Sequence, residues 1–364
     1  ARQAVVNFYA NVSSNLILRY EDLNGTMHGY TNRSYPALSN ENQVYSITYY
    51  DDYNFLPPGS TEYQFMSEPS IGLTENYQYV RGLITGSKVV ILGTNTYLNS
   101  VNYYDKYLRP IQIIAQNHLD GIDKMSNAYD FVGRLLKERI RHQGVQAVII
   151  DKEMTYDHGG RILKVYHTIN NGSKILLADN HYNELGELIE KNVHSEDGNK
   201  FLQSLDYAYN IRGWLLQVNP QESEPNVLYN DLYGFNLSYT TLPQGGIPNF
   251  QPSFNGNVTA FIETRPTRPD DTGLPFKSAF TYHYDARDQL RQATYYQLSN
   301  PTKNGTYDLP LITYDPNGNI LSLKRKGITN GVPGVIDNLN YSYQGNQLIG
   351  VDDSGDQGKG FIDK

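Results

Sequence analysis

A tyrosine followed by aspartate or asparagine, a short turn, a glycine and an apolar residue recurs along this chain at a near-constant interval. The clearest copy is Tyr156-Asp157-His158-Gly159-Gly160-Arg161, which ends one strand-like run and starts another. Each residue type has a reason to be there. Tyrosine suits a pleated, half-buried surface. Asp157 can bond its own backbone two residues on and so initiates a turn. Gly159 and Gly160 are expected to supply the positive φ that a tight hairpin needs. Ile162, Leu163 and Val165 then resume apolar strand spacing.

Copies stand at Tyr129-Asp130 with Gly133, at Tyr182-Asn183 with Gly186 and at Tyr209-Asn210 with Gly213. A looser one is Tyr104-Asp105, and later ones are Tyr284-Asp285, Tyr314-Asp315 with Gly318, and Tyr343 with Gly345. The tyrosines from Tyr104 to Tyr209 are 25, 27, 26 and 27 residues apart, and those from Tyr284 to Tyr343 are 30 and 29 apart. A fixed period of this size is the signature of a repeat architecture. A lone hairpin is marginal in water, but stacked hairpins satisfy one another's backbone edges and gain stability from nearest-neighbour interfaces. The spacing therefore predicts an all-β array of hairpins.

Four segments follow. Residues 1–43 read as a β-rich start, with strand-like VVNFYA and LILRYEDL and a worn corner at Arg19–Gly25. Residues 44–219 carry the array, with a loop or insertion from Asp51 to Tyr79 and a turn from His118 to Met125. Residues 220–252 read as an insertion, with a short helix near Asn226–Leu232. Residues 253–364 resume the array after a degraded corner at Phe254–Val258 and a loop at Pro266–Pro275, and the array is expected to continue past Lys364. No helix of ordinary length is expected.

The runs TYDHGGRILKVYHTINN, YNELGELIEKNVHS, LDYAYNIRGWLLQVN and ITYDPNGNILSLKRKG resemble the YD repeat of the RHS-repeat family, and within it the proteins of bacteria that carry a type IX secretion system. The resemblance implies a β-strip that spirals into part of a hollow RHS-type shell. In several members the shell encloses a toxic C-terminal domain. It implies as partners the rest of the same polypeptide or shell, an enclosed effector and the secretion machinery, and a secreted or cell-surface location. The family's core segment is absent here. Asp315-Pro316-Asn317-Gly318 is similar to that segment's Asp-Pro-x-Gly but sits in an ordinary corner, where Pro favours a type I turn.

Composition narrows the partners. The formal net charge is −8 without a long basic run, which argues against nucleic acid, since phosphate neutralisation needs clustered Lys and Arg. Leu321–Gly327 is the most basic stretch and reads as the solvated side of a strand. No cysteine is present, so thiolate metal sites, disulfides and a Cys nucleophile are excluded. No apolar run nears the roughly 20 residues of a membrane helix. Tyrosine stands out at 32 residues, and its apolar ring with a wet hydroxyl suits a thin wall that is only partly dry.

The chemistry-bearing residues point to structure. An active site needs one tuned constellation, whereas the Tyr–Asp pairs recur, so they read as turn chemistry and packing. His158 and His181 lie at neighbouring corners without paired-ligand spacing. Asp120–Asp123 and Asp352–Asp356 lack the spacing of a calcium loop and read as turns. In the pairs Tyr49/Tyr50 and Tyr103/Tyr104, alternation lets at most one ring of each face outward. No catalytic residue, cofactor or metal is expected. The leading function is a structural shell wall that encloses or presents an effector. The alternative is a cell-surface adhesion or glycan-binding module.

Overall fold

The structure is a computed structural model that describes residues 2–10, 21–36, 38–56, 59–219, 232–241, 247–265, 276–300, 304–329, 331–356 and 358–362. The expected strand at 16–23 and the worn corner lie partly outside these residues. So does the short helix near Asn226–Leu232, and the loop Pro266–Pro275 lies wholly outside them.

The all-β expectation holds. Sixteen strands form one antiparallel sheet in which each pairs with its neighbour in sequence, and four more form a second sheet. Two compact units divide the chain, residues 1–177 with 196–198, and residues 178–195 with 199–364.

The first unit opens with a helix where the sequence predicts a strand. Val5–Ala10 lies in a helix, α1 (Arg2–Ala10), not in a strand. The side chain of Gln3 donates to Asn7 Oδ1 at 2.8 Å across one turn, and Phe8 packs against Tyr35 with ring centroids 5.4 Å apart. A local i,i+4 pair and a tertiary contact override the β preference of paired valines and aromatics. The strands β1 (Leu23–Met27), β2 (Ser46–Asp51), β3 (Val80–Val90), β4 (Tyr97–Tyr104) and β5 (Pro110–Gln116) follow. After them come β6 (Ile122–Tyr129), β7 (Leu135–Gln143), β8 (Ala147–Tyr156) and β9 (Ile162–Ile169). Residues 122–125, expected in a turn, are the start of β6, because Ile122 pairs with Gln116 and Asp123 with Ala115.

The insertion between β2 and β3 forms a second layer. Its Tyr63, Ile71 and Leu73 bury against Val101, Tyr103, Ile111 and Ile114 of β4 and β5. The side chain of Gln112 joins the layers as a backbone would. Its Oε1 accepts from Met66 N and its Nε2 donates to Met66 O, both at 2.8 Å. Nε2 also donates to Ser126 Oγ at 2.9 Å. That full use of the amide makes its complete burial tolerable.

The same layer holds a buried ion network. Glu68 accepts from the guanidinium of Arg141 at 2.5 and 2.9 Å and from Arg139 at 3.1 Å. Arg139 also makes a bidentate pair with Asp151 and donates to Ser70 Oγ at 2.7 Å. Burial pushes the Glu68 carboxyl up, but the two arginines outweigh it and hold it below the usual glutamate value.

The second unit contains most of β10 (Ile175–Tyr182), then β11 (Leu188–Ser195), β12 (Gln203–Tyr209), β13 (Leu215–Val218) and β14 (Gly234–Ser238). β15 (Ala260–Arg265), β16 (Phe276–Tyr284) and β17 (Leu290–Gln297) continue the larger sheet. The smaller sheet is β18 (Leu311–Tyr314), β19 (Ile320–Thr329), β20 (Val332–Gln344) and β21 (Gln347–Asp353). Strand β14 lies inside residues 220–252, so the expected insertion does not interrupt the pairing: Val218 pairs with Phe235, and Leu237 with Phe261. Ile247, Ile262, Ala279 and Tyr296 form the buried cluster of this unit.

Candidate functional site

The feature that recurs along the described residues is the strand corner. At Asp130 the backbone N–H donates to Arg134 O at 2.9 Å, and Gly133 N donates to Asp130 O at 3.1 Å. The Asp130 carboxylate accepts from Val132 N, Arg134 N and Arg134 Nε at 3.0, 2.8 and 2.6 Å. Gly133 has φ 95°, and the strand register slips between Ala128 and Tyr129. This is a three-residue hairpin loop closed by a bulge at a left-handed residue.

The same set recurs. Asp105 accepts from Tyr107 N, Arg109 N and Arg109 Nε at 2.8, 3.0 and 2.7 Å. Asp157 accepts from Arg161 N and Nε at 2.9 and 2.6 Å. Asn183, Asn210, Asp285 and Asp315 each accept from the backbone N–H two and four residues on. Gly160, Gly186, Gly213 and Gly318 take the left-handed position, while Leu108 and Asp288 take it where glycine is missing. At Tyr343 the turn is tighter: Gln344 pairs with Gln347 around Gly345, φ 62°.

Gly159 does not supply the positive φ expected of it, because the left-handed residue of its corner is Gly160 alone. Replacing Gly160 by alanine is expected to cost about 1–2 kcal/mol, the penalty of a Cβ in a left-handed conformation. Replacing Gly159, where a Cβ would meet nothing nearer than Asp157 Oδ1 at 3.4 Å, should leave the urea midpoint nearly unchanged. Equal losses at the two positions would contradict this corner geometry.

Successive corners are bonded to each other through tyrosine hydroxyls. Tyr129 Oη donates to Pro110 O at 2.9 Å and Tyr156 Oη to Leu135 O at 2.7 Å. Tyr284, Tyr314 and Tyr343 donate in the same way to Val258, Leu290 and Ile320, at 2.8, 2.8 and 2.9 Å. In most of these the acceptor is the strand partner of the preceding corner's tyrosine, as Pro110 is of Tyr104 and Leu135 is of Tyr129. Burial pushes the hydroxyls of Tyr104, Tyr129, Tyr156, Tyr284 and Tyr314 up, so they remain donors across the ordinary pH range.

Arginines add a second link. Arg109, held by its own Asp105, donates Nη1 to Asp130 O at 2.8 Å and lies 4.8 Å from the Tyr129 ring centroid. Arg134 repeats this on Asp157 O at 3.3 Å and on Tyr156 at 5.1 Å. Trp214 stands in the arginine's place in the second unit, 5.0 Å from Tyr239.

Tyr239 is a corner tyrosine that the motif misses. Its hydroxyl donates to Leu215 O at 3.0 Å, but Thr240 follows it. The turn is displaced to Asn255-Gly256, where Gly256 has φ 100° and packs on Trp214. Tyr103 and Tyr104 are both buried, at 5% and 8% exposure, so neither ring of that pair faces outward. Tyr103 Oη donates to Tyr63 O in the insertion and Tyr104 Oη to Ile84 O of β3, so each ring is covered by a different neighbour. Tyr49 and Tyr50 do alternate, with Tyr49 wholly buried and Tyr50 exposed.

The corner carboxylates tie stability to pH. At Asp157 the Arg161 backbone N–H is the largest influence. It outweighs burial, and with the Arg161 guanidinium holds the carboxyl below its usual 3.8. The Asn319 side chain does the same at Asp315, and Asp130 and Asp285 are also lowered. A group with a depressed folded value stabilises the fold fully above its unfolded value, and loses that contribution as pH falls through the folded one. The thermal midpoint should therefore hold down to about pH 4 and fall steeply below it. Asp157→Asn together with Asp130→Asn should flatten that acid limb. An unchanged limb would count against the corners as its source.

His181 pairs with Glu190 at 3.0 Å and His142 with Asp123 at 2.8 Å. Among the described residues no three histidines or carboxylates converge to hold a metal, and no helix is long and apolar enough to cross a membrane. Asp120 lies in a turn, φ 58°, that Asn117 closes by accepting from Leu119 N and Gly121 N.

No protein-family model matches the chain, and no curated protein matches it. Among solved structures it is similar to part of a Tc holotoxin pore of Photorhabdus luminescens, at 15% identity and a TM-score of 0.42, over 73% of this chain and 14% of that one. It is similar to part of TcdB2-TccC3 at 13% identity and a TM-score of 0.42, over 73% of this chain and 16% of that one. A porin-like protein of Bacteroides uniformis aligns at 12% identity and a TM-score of 0.26, over 64% of this chain and 92% of that one. The chain thus spans less than a fifth of the length of the Tc chains.

Proposed function

We propose that this chain is a stretch of wall in a secreted or cell-surface shell of the RHS-repeat type, which encloses or presents an effector segment. The observation that supports this reading is the corner ladder. Tyr129 and Tyr156 each bond the corner before them, and Arg109 and Arg134 each bond the corner after. Nearest-neighbour bonding of one repeated unit is how a repeat array extends a continuous surface. A catalytic centre is instead one constellation tuned once.

In this reading no residue of the wall performs chemistry. Its work is separation, keeping a passenger from solvent and from the surrounding cell until release. Export by type IX secretion machinery belongs to the same proposal and rests on the sequence resemblance.

Limited proteolysis of the natural polypeptide that carries these residues tests the reading. A non-repeat segment should survive in the intact protein and be digested once Gly133, Gly160 and Gly318 are all replaced by valine, which opens the corners. A segment cut equally fast in both proteins would sink the enclosure reading.

A further inference from the structure

Beside the first corner, in the first unit, residues 74–79 run past the turn Asp105–Arg109. Tyr77 N donates to Tyr104 O at 2.7 Å and fixes the approach. Between them lies an open groove of about 480 Å³. Its aromatic walls face solvent: Tyr79 is 79% exposed and Tyr107 60%. The rings of Tyr77 and Tyr79 stand 5.6 Å apart and tilted. Arg109 spreads over both Tyr107 and Tyr129, at 5.0 and 4.8 Å, and its charge is neutralised by Asp105 at 2.6 Å.

One polar atom of the lining is out of place. Asn127 is 8% exposed, and its Oδ1 is buried without a hydrogen-bond partner. The amide orientation follows from its neighbour. The Tyr129 hydroxyl gives its proton to Pro110 O, so it can only accept from Asn127 Nδ2, at 3.4 Å. Oδ1 is left as the free acceptor. A buried acceptor without a donor costs free energy that a ligand O–H or N–H would restore.

We propose that this groove binds a neutral saccharide. The three features ask for one chemistry. Exposed tyrosine faces pack against the C–H face of a pyranose ring, as aromatic surfaces pack against apolar ones. The orphaned Asn127 Oδ1 takes a hydroxyl or acetamido proton. The lining sets Glu75 and Asp105 against Lys106 and Arg109, so it carries no net charge to attract an anion. The proposal does not depend on the wall reading, since a shell wall and a free module present the same groove.

Titration calorimetry of the full chain with chitotriose and with cellotriose tests it. At least one trisaccharide should bind saturably at millimolar concentration. Tyr79→Ala should weaken that binding about three- to tenfold, the loss of one stacking contact, with no change in thermal midpoint because the ring is exposed. Asn127→Asp, which keeps an acceptor, should retain binding, and Asn127→Leu should lose it. No binding of either sugar overturns the proposal. So does binding that Tyr79→Ala leaves unchanged, or a groove that takes a proline-rich peptide and neither sugar.

Discussion

Truncation of Tyr103 to alanine is expected to cost about 3–5 kcal/mol, the usual loss for a large buried aromatic. Three contacts go together. The ring stacks on Tyr53 at 4.7 Å and meets Phe65 edge-on at 5.6 Å. Its hydroxyl donates to Tyr63 O at 2.8 Å in a buried position. All three partners belong to the insertion between β2 and β3, so the variant should free that layer as well as weaken the sheet. Urea unfolding measures the loss. Hydrogen exchange should show protection falling first across residues 59–79. A loss below about 0.5 kcal/mol, the scale of a surface substitution, would mean that the insertion does not pack as described.

Glu68→Ala should cost about 3 kcal/mol. Removing one partner of a buried ion pair leaves the other charge uncompensated, which typically costs about 3–5 kcal/mol. The lower figure applies because Arg139 keeps its bidentate pair with Asp151 and Arg141 is one-third exposed. Replacing Glu68, Arg139 and Arg141 together by apolar residues of similar volume should cost much less than Glu68→Ala alone, because no orphaned charge remains. Unfolding free energies of the two proteins decide the point. Equal losses would show that the network contributes packing rather than charge pairing.

These two sites lie where the sequence is least legible. The corners are legible because one bond set demands the same residue types at the same offsets. Asp130 needs an N–H two and four residues on, and a left-handed residue at Gly133. The resulting spacing is visible in any single sequence. Tyr239 escapes because it keeps the hydroxyl bond and lacks the adjacent aspartate; its turn is displaced to Asn255-Gly256.

The insertion layer has no such period. Glu68 meets Arg141 across 73 residues and Met66 meets Gln112 across 46, and no local pattern encodes either meeting. Helix α1 is misread for the opposite reason. Val5, Val6, Phe8 and Tyr9 carry a strong local β preference, which the Phe8–Tyr35 contact overrides from a distance. The groove at Asn127 is invisible for a third reason. What marks it is an unmet hydrogen bond, and that exists only once the neighbours of Asn127 are in place.

The measurement that tests the account most directly is electron cryo-microscopy of the natural polypeptide that contains these residues. The account predicts a continuous antiparallel strip, with rows of corners bonded through Tyr129, Tyr156, Tyr284, Tyr314 and Tyr343, wound into a wall around a cavity with density inside it. A solid particle without a cavity, or a strip open to solvent on both faces, would contradict it.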